Sequence, residues 1–286
     1  MQEFYIAGKD GVKTFVLNLK PQTPSAKPPV FLIHGLTRNH KDFAPIFDTL
    51  LGLGHEIFAI DVRGRGKSDY DKIVANYNPV TYAMDVIAIF DELKIPPAIF
   101  IGTSMGGLIS MLLASFRPDL FKGIILNDVG PEVALGGIKR IRSYVGSVSL
   151  FKTLDDAAAA VKAINLDAFP SRGDDDKFWL EFAGRTCRKT DDGFILDYDP
   201  QIRESVASAD PDAPLPDIWP QFKANIAIPT MLIRGAISDL NTPDIVAKMH
   251  EVKADLIVRD VPNVGHAPIL DEPEAIAAIK EFSAKF

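Results

Sequence analysis

The reading turns on Ala98-Ile99-Phe100-Ile101-Gly102-Thr103-Ser104-Met105-Gly106-Gly107-Leu108. An apolar run leads into a Gly-x-Ser-x-Gly pattern, and the strongly apolar stretch Leu108 to Ser115, with helical character, follows it. The pattern alone is common by chance; a buried strand directly before it and a helix directly after it make it specific. A serine on so abrupt a strand-to-helix turn sits in strained backbone, and the flanking glycines remove side chains that would collide. The turn lifts the hydroxyl clear of the sheet, at the positive end of the following helix. A Gly-rich tight turn with an incidental serine is the plainer alternative, and it leaves both flanks unexplained.

Outward from this turn, short β-branched runs alternate with longer helical patterns, the signature of an α/β sheet. Phe15-Val16-Leu17, Val30-Phe31-Leu32-Ile33 and Glu56-Ile57-Phe58-Ala59-Ile60 read as strands before it. Gly123-Ile124-Ile125-Leu126, Thr230-Met231-Leu232-Ile233 and Asp255-Leu256-Ile257-Val258 read as strands after it. Helices are predicted around Phe43 to Leu51, over Tyr82 to Leu93 and from Pro273 to Phe286. In the second of these Met84, Ile87 and Ala88 share one face, with Asp85 and Asp91 off it. Between Pro131 and Pro220 strand runs vanish, and helical patterns appear at Asp155 to Asn165 and Asp174 to Arg188 behind acidic, capping-competent residues. Asp210-Pro211-Asp212-Ala213-Pro214-Leu215-Pro216 reads as the linker out. The economical organisation is a core of residues 1–130 and 220–286 interrupted by a helical lid at 131–219.

Composition narrows the function classes. The 286 residues suffice for one substantial core, and 31 basic against 38 acidic side chains give a formal charge of −7. An acidic surface repels phosphate backbones, so no nucleic-acid partner is expected. Cys187 is the only cysteine, which removes any internal disulfide and any cysteine-rich metal site. Met1-Gln2-Glu3-Phe4-Tyr5 has no basic patch or long apolar run, and no stretch approaches the ~20 apolar residues of a membrane span. The expectation is a cytoplasmic chain with no membrane partner, no metal and no cofactor; the oligomeric state is not readable.

A serine hydroxyl needs a base to take its proton as it attacks. Of His34, His40, His55, His250 and His266, only His266 lies on a loop after the final strand, in Val261-Pro262-Asn263-Val264-Gly265-His266-Ala267-Pro268. A third group must fix the imidazole tautomer and stabilise its charge. Asp239, beyond the strand ending near Arg234, is favoured; Asp128, directly after Ile124-Ile125-Leu126, is the alternative acid, with a turn-fixing role as its plainer account. The oxyanion donors are predicted to be the backbone N–H groups of Met105 and Leu36, with His34 orienting the second loop. Asp61-Val62-Arg63-Gly64-Arg65-Gly66-Lys67-Ser68 lacks the Walker spacing and reads as a turn in which Asp61 and Arg63 pair. Asp174-Asp175-Asp176 reads as a solvated helix start.

These residues together resemble the α/β-hydrolase family throughout the chain, most specifically at His34-Gly35, at Asp61 to Ser68, at Gly102 to Gly107 and at Gly265-His266. The sequence is most similar to the lid-bearing bacterial branch of small carboxylesterases, enol-lactonases, ring-cleavage C–C hydrolases and cofactor-free haloperoxidase-like members. The resemblance implies a mostly parallel eight-stranded sheet, helices on both faces and a lid inserted after the sixth strand. Haloalkane dehalogenases and epoxide hydrolases of this fold carry aspartate where this chain has Ser104, so acyl chemistry is implied. The resulting expectation is a carboxylesterase or lactonase acting on a small-molecule ester through an acyl-enzyme, with Phe178, Trp179 and Phe182 lining the lid pocket. The alternatives are a C–C hydrolase holding a dienoate with Arg185 and Arg188, and a low-turnover ligand receptor of the same fold.

Overall fold

Strand side chains alternate between two buried faces, and that alternation sets the layers. A computed structural model describes residues 1–146, 149–207 and 217–286. The strands are β1 (Gln2–Ala7), β2 (Lys13–Leu19), β3 (Val30–Ile33), β4 (Ile57–Asp61), β5 (Ala98–Thr103), β6 (Phe121–Asn127), β7 (Leu150–Phe151), β8 (Cys187–Thr190), β9 (Gly193–Leu196), β10 (Thr230–Gly235) and β11 (Ile257–Val261). Eight of them form one sheet in the order β1-β2-β4-β3-β5-β6-β10-β11. Only β1 with β2 and β2 with β4 pair antiparallel; the remaining pairs are parallel. Central strands are buried on both sides, which explains why they read as continuous apolar runs.

The helices are α1 (Ala44–Gly52), α2 (Pro79–Leu93), α3 (Met105–Phe116), α4 (Leu135–Tyr144), α5 (Leu154–Asn165), α6 (Asp176–Thr186), α7 (Ile202–Ala207), α8 (Trp219–Ala224), α9 (Pro243–Val252) and α10 (Pro273–Ser283). Phe31, Ile33, Phe100 and Leu126 face α2, α3, α8 and α9, whose Val86, Ile109, Phe222 and Met249 complete that core. Val30, Leu32, Ile99 and Ile125 face the other way, onto Ile46 and Leu50 of α1 and Ala278 and Ile279 of α10. The predicted layering, helices on both faces of a mostly parallel sheet, is what is observed. Burying one such Leu or Ile side chain contributes about 1.5–3 kcal/mol, so each face is held by many comparable terms.

Three local expectations are corrected. Met84 is exposed, while Tyr82, Ala83, Val86, Ile89 and Phe90 form the buried stripe of α2 together with Asp85. Asp85 tolerates burial because Arg63 grips it at 2.6 and 2.7 Å. Arg63 also reaches Asp10 at 2.7 Å and Asp71 at 2.5 Å, so it does not pair with Asp61. Asp61 instead takes the His40 backbone N–H at 2.6 Å and contacts the His40 ring at 2.8 Å. The third correction concerns the segment between β6 and β10. It is not purely helical: β7, β9 and β8 make a three-stranded antiparallel sheet. These strands are very short and α6 runs straight into β8 at Cys187, which hides them from periodicity arguments. The linker predicted at Asp210 to Pro216 lies outside the described residues.

Candidate active site

Parallel strands end together, and the loops after them meet at one rim of the sheet. Ser104 follows β5 directly, at φ 51° and ψ −114°, a conformation that L side chains rarely adopt. A Cβ at Gly106 would fall inside the van der Waals radius of the Ile33 carbonyl oxygen, so only glycine lets α3 start this close to β3. Register then sets the neighbours. Thr103 pairs with Asn127 at the ends of β5 and β6, so the next residues on the two strands are Ser104 and Asp128. Asp128 also has positive φ, 56°, and is fully buried.

His266 lies on the loop after β11 and bridges the two. Its Nε2 is 2.9 Å from Ser104 Oγ, and its Nδ1 is 2.8 Å from Asp128 Oδ2. The remaining valences of Asp128 are filled by the Gly235 N–H on Oδ1 at 3.0 Å and the Ser238 hydroxyl on Oδ2 at 2.7 Å. With those two donors in place, the imidazole is held with its Nδ1–H toward Asp128 Oδ2, which sets the tautomer. Asp239, the favoured acid, does not meet the imidazole. It is exposed, four residues beyond the end of β10, and both its oxygens are gripped by Arg140 of α4 at 2.6 and 2.9 Å. Those bonds to Arg140 hold its carboxyl below the usual carboxylate range.

Ser238 and Asn127 were not foreseen from the sequence. Asn127 Nδ2 donates to Thr103 Oγ1 at 3.0 Å and to the Pro268 carbonyl at 2.8 Å, while the Asn127 backbone carbonyl takes the Ser104 N–H at 3.0 Å. One buried amide thereby joins the serine turn to the histidine loop. Its only sequence signal is its place as the last residue of a strand.

The Met105 N–H opens α3 and has no acceptor within the helix, as every first-turn amide lacks one. The Leu36 N–H follows Gly35, whose α-carbon face lies against Thr103 and Ser104. Among the described residues, no backbone carbonyl accepts from either amide. His34 is buried; its Nδ1–H donates to the Gly35 carbonyl at 2.7 Å and its Nε2 accepts from the Val62 N–H at 2.9 Å. Burial pushes its pKa down to about 4, so the ring is neutral at pH 7 and fixes the loop that carries Leu36.

A cavity of about 120 Å³ opens over Ser104 and His266, walled by Leu36, Ile141, Tyr144, Phe182 and Leu196 among others. Phe182 is one of the lining residues. Phe178 and Trp179 are not: both are buried against Phe169 and the α1–α10 face of the sheet, and Trp179 Nε1 donates to the Arg172 carbonyl. Arg185 lines the cavity; Arg188, on β8, does not, and lies 3.7 Å from Asp197, which follows β9. Among the described residues no group of three or more His, Cys, Asp or Glu is arranged to hold a metal ion, and no helix is long and apolar enough to cross a membrane.

The sequence pattern of the alpha/beta hydrolase family matches residues 30–279, a span that holds Ser104, Asp128 and His266. The chain belongs to the alpha/beta hydrolase family. This alpha/beta hydrolase is 33% identical over 256 residues to a 3-hydroxybutyrate-oligomer hydrolase of Cupriavidus necator, covering 87% of this chain and 86% of that one. An esterase of Mycobacterium tuberculosis is 27% identical over 257 residues, 88% of this chain and 81% of its own. Among solved structures, an alpha/beta hydrolase from Novosphingobium aromaticivorans superposes with a TM-score of 0.90 at 36% identity, spanning 100% of this chain and 98% of that one.

Proposed function

We propose that this alpha/beta hydrolase is a serine hydrolase that cleaves a small or medium carboxylic ester or lactone through an acyl-enzyme. The observation that carries this reading is the unbroken relay from Ser104 Oγ through the two His266 nitrogens to Asp128, with spans of 2.9 and 2.8 Å. Ser104 Oγ attacks the acyl carbon as Nε2 takes its proton, and the Leu36 and Met105 amides receive the oxyanion. The imidazolium gives the proton to the leaving alcohol; the neutral imidazole then takes one from the water that attacks the acyl carbon and hands it to Ser104 Oγ as the acid departs. Asp128 holds the imidazole in place and stabilises the imidazolium as it forms. Each oxyanion donor contributes roughly 3 kcal/mol to the transition state. Segment 131–219 acts as the lid, because Ile141, Tyr144 and Phe182 close the cavity from that side.

An ester substrate is supported by two relatives, one acting on 3-hydroxybutyrate oligomers and one an esterase. The test is turnover of a short-chain p-nitrophenyl ester by Ser104→Ala protein, with an expected loss on the order of 10⁴-fold or more in kcat and a retained fold. An unaltered rate in that variant overturns the assignment. Stoichiometric labelling with almost no turnover in the unsubstituted protein points instead to a ligand receptor.

A further inference from the structure

Two guanidinium groups face the Ser104 cavity, and they differ in one respect. Arg38 is already neutralised: its Nε and Nη2 hold both oxygens of Asp42 at 2.7 and 2.6 Å. Its guanidinium also lies 4.1 Å over the Phe182 ring. Arg185 sits three residues after Phe182 on α6, with its guanidinium 6.0 Å from the same ring. Among the described residues no carboxylate lies within ion-pairing distance of Arg185, and its side chain donates no hydrogen bond; its backbone carbonyl is taken by Asn39. Burial lowers its pKa, with Arg38 acting in the same direction and the charges of Asp42, Glu181 and Asp271 acting against it. The charged cavity walls are therefore Arg38, Asp42 and Arg185, one positive charge in surplus, on a chain whose overall charge is −7.

A half-buried, unpaired cation beside an apolar wall is costly unless a ligand supplies the counter-charge. A guanidinium presents a planar fork that matches a carboxylate. We propose that Arg185 is a specificity-determining residue that receives a free carboxylate on the substrate, so that the ester cleaved at Ser104 is a short acid-ester whose second carboxylate stays intact. This rests on the serine-hydrolase reading above and adds the charge class of the substrate to it.

The test compares two esters of matched length, p-nitrophenyl valerate and mono-p-nitrophenyl glutarate, in which a carboxylate replaces the terminal methyl. The unsubstituted protein prefers the glutarate ester in kcat/KM. In Arg185→Gln that preference falls by about 10- to 100-fold, the worth of one charged hydrogen-bonded pair, and the change is carried by KM. Arg185→Lys, which keeps the charge and loses the fork, falls between the two. An equal preference in all three proteins overturns the proposal.

Calorimetric titration of monomethyl glutarate into Ser104→Ala and Ser104→Ala/Arg185→Gln proteins separates the two readings. Binding that needs Arg185, with neither chromogenic ester cleaved by the unsubstituted protein, keeps the carboxylate subsite and removes the ester chemistry. Cleavage of both esters, with binding indifferent to Arg185, removes the subsite alone. Neither cleavage nor Arg185-dependent binding removes both.

Discussion

Asp128 and Asp239 are both loop carboxylates that follow strands, and only one reaches the imidazole. The difference is register. Asp128 is the first residue past β6, level with Ser104 past β5, whereas Asp239 is carried outward by the turn after Gly235 and engaged by Arg140. Asp128→Asn is expected to lower kcat on the order of 10³- to 10⁴-fold, because an amide can donate to Nδ1 and stabilise the wrong tautomer. Asp239→Asn is expected to change kcat by less than about tenfold, having lost a partly exposed ion pair. Steady-state kinetics of the two variants side by side checks both; a larger defect from Asp239 reverses the assignment. Ser104 and His266 were legible in the sequence because a local motif and chain order mark them. The acid was narrowed to Asp239 and Asp128 by their places after strands, but the choice between them went to Asp239, because strand register is a property of pairing that neither residue shows by itself.

At the scale of elements, the stretch Asp61 to Ser68 ties β4 to its surroundings through Arg63. That side chain is almost fully buried, and its partners Asp85 on α2 and Asp71 on the next loop are buried with it. Removing one member of such a cluster leaves uncompensated charge in the interior. Arg63→Met is therefore expected to cost about 3–5 kcal/mol, read by urea or guanidinium unfolding. Replacing Asp85 by Leu in the same chain should recover part of that loss, and a double variant no better than the single one contradicts the ion-cluster account. The sequence placed most strands and long helices correctly, since continuous apolar runs between turn residues survive as patterns. It misassigned the buried face of α2 because Asp85 is an acidic residue buried by a partner 22 positions earlier in the chain. No periodicity count anticipates such a pairing.

Across the whole molecule, the segment after β9 stitches the β6–β10 insertion to the loop after β4. The Gly66 N–H donates to the Asp197 carbonyl at 3.0 Å and the Asp199 N–H to the Gly64 carbonyl at 2.7 Å. The Tyr77 hydroxyl donates to Asp199 Oδ2 at 2.6 Å while accepting the Asp71 N–H at 2.8 Å. Tyr77→Phe leaves both partners buried and short of a bond, so a loss of about 1–3 kcal/mol is expected. Hydrogen exchange should rise at residues 197–199 more than in β5; a uniform rise contradicts the stitching. A change of rhythm marks the insertion in the sequence, but its bonds to the loops after β4 are not readable there, since Gly66–Asp197, Asp199–Gly64 and Tyr77–Asp199 each join residues more than 100 positions apart.

The opposite side of that insertion touches the histidine loop itself. The Gly265 N–H donates to the Ala168 carbonyl at 2.7 Å, and the missing side chain of Gly265 allows Ala168 to press against it. The residue beside the imidazole is thus held from two sides, by Ala168 of the β6–β10 insertion and by Gly235 at the end of β10, onto which its own carbonyl packs. Exchanging the β6–β10 insertion is therefore expected to move the loop that carries His266 as well as the wall of the cavity.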